Sequence, residues 1–220
     1  MVFNKDVLFI HIGKTGGTSA AKYLCSTLDG PVYNVVPSGA QQIQYGHETN
    51  LVGQRHATLE EALQFTRANY NLGLKDFKKV IAVIRNPYNL EISLFNYYKR
   101  LLAKNSKILD GAPKRKEIVL QDDFDAFVRG KFYHRNGIHI KKYISIDGKI
   151  PKKVDVIKFE EMTPRFIAIG KTYGNGNIKF PHLNKTKPAS AKEFVTEELE
   201  VILFRKYRWV FKRGNYPRLY

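Results

Sequence analysis

Seven residues near the start of the chain, Gly13-Lys14-Thr15-Gly16-Gly17-Thr18-Ser19, bring together a cation, three glycines and three hydroxyls. Such a segment suits an anion. Glycines let the backbone wrap closely, a following helix offers unpaired N–H groups and a positive dipole end, and Lys14 adds a full charge. The chemistry this implies is binding of phosphate or sulfate by Lys14, Thr15, Gly16, Gly17, Thr18 and Ser19. A second cation, Arg85, opens the segment Arg85-Asn86-Pro87-Tyr88, with Ser93 shortly after it. Six histidines, His11, His47, His56, His134, His139 and His182, compete as a general base. Imidazole is suited to that work because its ordinary pKa of about 6.5 lies close to neutrality. For His11, on the run leading into the glycine loop, a structural and a catalytic role weigh equally. The chain has neither a paired-cysteine motif nor H-x-x-x-H, so metal-independent chemistry is expected.

The loop needs a strand before it and a helix after it. Val7-Leu8-Phe9-Ile10 is a short apolar run of the buried-strand type, and residues 18–29 carry Ala21, Leu24, Cys25 and Leu28 on one helical face, ended by Asp29-Gly30-Pro31. Residues 32–56 read as irregular. Thr58-Leu59-Glu60-Glu61 is a loose capping box that opens a helix over 58–68. Val80-Ile81-Ala82-Val83-Ile84 predicts a second buried parallel strand, followed by a helix from about Tyr88 to Ala103. Residues 104–116 are basic and turn-like, and Asp122 to Arg129 reads as a short helix. Val154 to Phe159 predicts a third strand, with a helix near 164–172, loop over 174–190, and one last amphipathic helix over about 191–211. Strands alternating with helices over 1–220, without repeats or long linkers, predict one α/β domain: a three-layer fold with a central, mainly parallel sheet flanked by helices.

Composition sets outer bounds. The 220 residues are 43% hydrophobic and 13% aromatic, which excludes a disordered chain. The net charge is +17. Residues 1–110 carry 13 basic and 8 acidic side chains and residues 111–220 carry 24 and 12, so the excess lies mainly in the second half. That suits a polyanionic partner such as an acidic glycan. Cys25 is the sole cysteine, which excludes an intrachain disulfide and predicts a buried thiol in an intracellular protein. No run approaches the roughly 20 apolar residues of a membrane span. The location expected is cytoplasmic, or that of a trimmed catalytic domain of a membrane-anchored protein.

A nucleotide-hydrolysing P-loop, G-x-x-x-x-G-K-[ST], places Lys after the last Gly. Here Lys14 follows the first, and Gly17 is followed by Thr18-Ser19. Such a protein also needs an Asp at a neighbouring strand end to hold Mg²⁺, where this chain has Arg85. HIGKTGGTS instead resembles the HIPKTGGTS-type loop of carbohydrate sulfotransferases, including the heparan-sulfate O-sulfotransferases, which use the donor 3′-phosphoadenosine 5′-phosphosulfate (PAPS). Arg85-Asn86-Pro87-Tyr88 with Ser93 is similar to their RNPxxRxxS segment, Arg55-His56-Ala57-Thr58 to KHxT, and Pro181-His182-Leu183-Asn184-Lys185-Thr186 to the PHxN-S/T loop. The four stretches fall in the family's order between residues 8 and 188. Gly13 stands where the family has Pro, and Glu91 at a position that is often basic.

The resemblance implies a P-loop-like fold and transfer of a sulfuryl group from PAPS to a hydroxyl or amine of an acceptor, such as a glycan. In that scheme the loop cradles the 5′-phosphate, Lys14 reaches the bridging oxygen, and Arg85 and Ser93 hold the 3′-phosphate. Thr186 and Lys187 contact phosphate from a loop over the donor. His56 is the first choice of base, His47 the second and Glu60 a distant third, with Glu60 better suited to capping its helix. The basic runs Lys114-Arg115-Lys116, Lys141-Lys142, Lys152-Lys153 and Arg205-Lys206 with Arg208 would face an acidic acceptor. The alternatives are a P-loop nucleotide kinase-like protein and a non-catalytic polyanion-binding module.

Overall fold

A computed structural model describes residues 1–39, 43–104, 107–130, 132, 139–183 and 190–220. In chain order the strands are β1 (Val2–Phe3), β2 (Val7–Ile10), β3 (Tyr33–Val36), β4 (Thr49–Val52), β5 (Lys79–Ile84) and β6 (Val154–Lys158). The helices are α1 (Gly17–Thr27), α2 (Leu59–Tyr70), α3 (Pro87–Ala103), α4 (Pro113–Leu120), α5 (Phe124–Arg129), α6 (Ile140–Tyr143), α7 (Met162–Tyr173), α8 (Glu197–Lys206) and α9 (Arg208–Gly214). They group into two compact units, Met1–Ile84 with Ile140–Lys185 and Arg85–His139 with Thr186–Tyr220.

The first unit is α/β, built on a mixed six-stranded sheet in the order β4-β3-β1-β2-β5-β6. β2 pairs parallel with β5, β5 with β6 and β3 with β4, while β1 runs antiparallel to both its neighbours. The sheet is therefore mostly parallel, and the two-residue β1 is what joins its parallel blocks. The continuous apolar runs of β2 and β5 follow from burial on both faces. Val7, Phe9, Ile81, Val83 and Ile157 point to one face and pack with Tyr23 and Leu24 of α1 and Phe166 and Ile169 of α7. Phe3 points to the other, stacked on Tyr33 at 5.0 Å and edge-on to Phe65 and Tyr70 of α2 at 6.5 and 5.2 Å. Helices thus flank the sheet. Cys25 lies in the α1 core, where burial and the nearby Glu48 carboxylate raise its thiol far above the ordinary range.

Two strands emerge from the stretch expected to be irregular, β3 and β4. The capping box of α2 is complete: the Thr58 hydroxyl accepts from Glu61 N–H at 3.3 Å and Glu61 accepts from Thr58 N–H at 2.7 Å.

The second unit is helical. Phe95 of α3 meets Phe124 and Phe127 of α5 at 5.4 and 5.2 Å. Pro113 opens α4 inside the segment expected to be turn-like, because proline is well suited to a first helical position. The single helix expected over 191–211 is a 3₁₀ turn, Ala191–Glu193, followed by α8 and α9. The break falls at Tyr207, which leaves helical geometry (φ −116°, ψ 22°) and donates its hydroxyl to Glu91. Among the described residues, no helix is long and apolar enough to cross a membrane.

Candidate functional site

Between β2 and α1 the backbone turns sharply. Lys14 has φ +64° and Gly16 φ +82°. For Gly16 that conformation carries no steric penalty; for Lys14 it costs about 1–3 kcal/mol, a strain that persists only where surroundings enforce it. The surroundings are specific. The Thr15 side chain is fully buried and its hydroxyl donates to the Ile12 carbonyl at 2.9 Å. A Cβ on Gly16 would stand 2.8 Å from the Phe159 ring and 2.9 Å from Met162 Sδ, and one on Gly17 would stand 2.0–2.1 Å from the His11 ring. Both glycines are therefore required, and side chains wall in the loop from two directions.

Gly16 is the N-cap of α1, with no side-chain cap and no acid in the first turn. The first helical bond runs from Ala20 N–H to the Gly16 carbonyl at 3.2 Å, so the N–H groups of Gly17, Thr18 and Ser19 precede the helical ladder. Half-buried Lys14 and Thr18 flank them. Ser19 is engaged differently from Thr18: its Oγ accepts the Leu183 N–H at 3.0 Å, which ties the Pro181-His182-Leu183 stretch to the start of α1. This geometry can hold an oxyanion by main-chain donors plus one ammonium.

His56 is brought to this loop. Its Nδ1 lies 2.8 Å from the His11 carbonyl, and a carbonyl only accepts, so Nδ1 carries the hydrogen and the neutral imidazole keeps its lone pair on Nε2. The rings of His56 and His11 meet edge-on with centroids 4.6 Å apart. His56 is half-buried and sits two residues ahead of the Thr58 cap, so α2 holds it from the other side.

His47 is not brought there. Its Nε2–H donates to the Leu28 carbonyl at 2.8 Å, beyond the C-terminal end of α1. The 11 residues of α1 span about 16 Å, which separates His47 from the loop by a helix length. Glu60 does not cap α2 either. Glu61 fills that place, and Glu60 accepts the Asp147 N–H at 2.8 Å. His139 and His182 are exposed. Thr186 and Lys187, together with Asn184 and His134, lie outside the described residues.

In the second unit, Arg85 directly precedes the α3 N-cap Asn86, whose side chain accepts the Tyr88 N–H at 3.0 Å, with Pro87 in the first turn. Ser93 lies two turns along the same helix and is buried. Glu91, the residue in place of a frequent cation, is fully buried and binds Lys206 Nζ at 2.6 Å and the Tyr207 hydroxyl. It closes a core ion pair. Lys206 is accordingly missing from the expected basic face: burial lowers its pKa, and Glu91 opposes that shift. Arg115 likewise folds over the Phe132 and Tyr98 rings at 4.6 and 5.3 Å, and Lys116 pairs with Asp110. Lys141, Lys142, Arg205 and Arg208 are exposed.

Among the described residues, no group of three His, Cys, Asp or Glu side chains could hold a metal ion. The His11–His56 pairing and the Ser19–Leu183 tie join residues 45 and 164 positions apart, beyond the reach of a local pattern. No family model, no curated protein and no solved structure gives a significant match to this chain.

Proposed function

We propose that the chain is a PAPS-dependent sulfotransferase with a P-loop-like, three-layer fold, acting on a hydroxyl or amine acceptor such as an acidic glycan. The observation that carries this reading is the pairing of a helix start without a side-chain cap, flanked by Lys14, with a histidine whose Nδ1–H is held by a backbone carbonyl, so that its neutral form carries the lone pair on Nε2. The donor's phosphosulfate suits that start because the N–H groups of Gly17, Thr18 and Ser19 precede the helical ladder, no side chain caps them, and Lys14 stands beside them.

In the reaction, His56 Nε2 removes the proton of the acceptor hydroxyl as its oxygen bonds to sulfur. The bond between sulfur and the bridging oxygen breaks, and the electron pair goes to the 5′-phosphate. Lys14 and the N–H groups of residues 15–19 meet that growing charge, which is greater in the transition state than in the ground state. Thr18 offers its hydroxyl to the same phosphate; the Thr15 hydroxyl is committed to Ile12 and serves the loop instead. Arg85 and Ser93 bind the 3′-phosphate, and with Thr186 and Lys187 they complete the donor contacts of this reading. His56 is the base and His47, a helix length away, is not.

Thermal denaturation with 3′-phosphoadenosine 5′-phosphate, without Mg²⁺, tests the nucleotide. At about 100 times Kd it should raise the melting temperature by about 5–10 °C. Transfer of radiolabelled sulfate from PAPS into a panel of glycans and phenols tests the reaction. Stabilisation by ATP–Mg²⁺ but not by that nucleotide would overturn the reading in favour of a kinase-like protein.

A further inference from the structure

His11 makes three contacts that no other residue of the loop combines. Its carbonyl accepts the Nδ1–H of His56 at 2.8 Å, its ring meets the His56 ring edge-on at 4.6 Å, and the same ring lies so close to the Gly17 Cα that a Cβ there would approach within 2.0 Å of it. Phe9 backs the ring from behind, nearly parallel at 5.9 Å between centroids. The ring is buried, so it is packed between the start of α1 and His56.

We propose that His11 is a positioning residue, a spacer whose imidazole sets both the orientation and the tautomer of His56 relative to the start of α1. This rests on His56 being the base. A histidine ring can rotate about its two side-chain torsions, and the hydrogen bond to a backbone carbonyl alone leaves rotation about that bond open. The edge-on ring of His11 removes that freedom, so Nδ1–H stays on the carbonyl and the lone pair stays on Nε2. The Gly17 contact transmits the position of the phosphate-binding turn to the same ring. The distance between base and anion site is thereby fixed by one side chain instead of by a flexible loop.

Imidazole ¹⁵N spectra of the whole chain, taken at about pH 8.5 where imidazoles are neutral, read the tautomer directly. In the unsubstituted protein His56 should show a protonated Nδ1. His11→Ala should convert it to a mixture of both tautomers, and Gly17→Ala, whose Cβ displaces the His11 ring, should do the same by an independent route. His11→Phe, which keeps a ring in place, should restore the Nδ1–H form. Turnover by His11→Ala should fall about 10- to 100-fold with donor KM changed far less, the mark of a misplaced group instead of a lost binding contact. A protonated Nε2 in the unsubstituted protein, or an unaltered His56 tautomer in both alanine variants, would overturn the proposal. The tautomer does not depend on any acceptor, so the absence of sulfate transfer by the unsubstituted protein counts against the sulfotransferase reading alone.

Discussion

α1 and α2 belong to one unit, have 11 and 12 residues, and begin in opposite ways. At α2, Thr58 and Glu61 each satisfy a backbone N–H across the first turn, and two carboxylates stand at the positive end of the helix. At α1, the cap is a glycine in the left-handed region, the first turn has no acid, and a strained lysine precedes it. Every helix start leaves the same unpaired donors. α2 closes them with its own side chains; α1 has no side-chain cap, and its helical ladder begins only at the Ala20 N–H. The difference separates a helix start capped by its own side chains from one that is not, and the proposed anion site depends on that contrast.

The largest effect should come from removing the cation at the open start. Lys14→Ala should lower sulfate transfer about 10²-fold or more, and it should also relieve positive-φ strain only slightly, since alanine too disfavours that region. Near-normal turnover in this variant would remove Lys14 from the chemistry.

Next comes an attempt to make α1 resemble α2. Thr18→Glu places a carboxylate in the first turn, where it should stabilise the helix by about 0.3–1 kcal/mol. The same charge should weaken 3′-phosphoadenosine 5′-phosphate about tenfold or more. Thermal denaturation with and without the nucleotide reads both. A variant that keeps the full nucleotide-induced shift would break the comparison.

The reverse change opens α2. Thr58→Ala should cost about 1 kcal/mol, seen as a melting temperature lower by about 2–4 °C, with the nucleotide-induced shift retained. Loss of that shift would show that the two starts are not independent.

A carboxylate satisfying backbone donors recurs at Glu200 in the second unit, and its effect should be the smallest and most gradual. Burial raises the Glu200 pKa, but hydrogen bonds from Tyr88, Arg218 and the N–H groups of Leu219 and Tyr220 more than offset this, so it lies below the ordinary value. A folded pKa below the unfolded one gives stability that is present above the unfolded carboxylate range, about 4.3, and is lost as pH falls through the folded pKa. The melting temperature below about pH 4 should therefore fall less steeply for Glu200→Gln than for the unsubstituted protein. Equal slopes would show that Glu200 does not contribute to the acid limb.

The sequence made the parallel core legible because its strands are local signals. β2 and β5 carry continuous apolar runs, β6 keeps Val154, Val156 and Ile157 around Asp155, and Lys14 to Ser19 form a motif within one turn of chain. β1 was too short to register, and β3 and β4 draw their order from pairing with distant strands; β4 in addition is half-exposed and lacks an apolar run. Tyr207 looked like a helical residue, yet its hydroxyl is drawn to Glu91, 116 positions away, and the helix breaks there. Glu91 itself stood out as a departure from the sulfotransferase pattern. Only its buried contacts with Lys206 and Tyr207 account for a carboxylate at that position. The same limit applied to His47 and His56, which could not be ranked by distance until the length of α1 and the His11 carbonyl were known.

The burial of Cys25 has a practical consequence. The chain's one native thiol is inaccessible and resists ionising, so maleimide reagents should pass it by in the folded protein. A single cysteine introduced on the surface, for example by Lys142→Cys, would then take up a fluorophore or spin label alone, with no native residue replaced to silence the background.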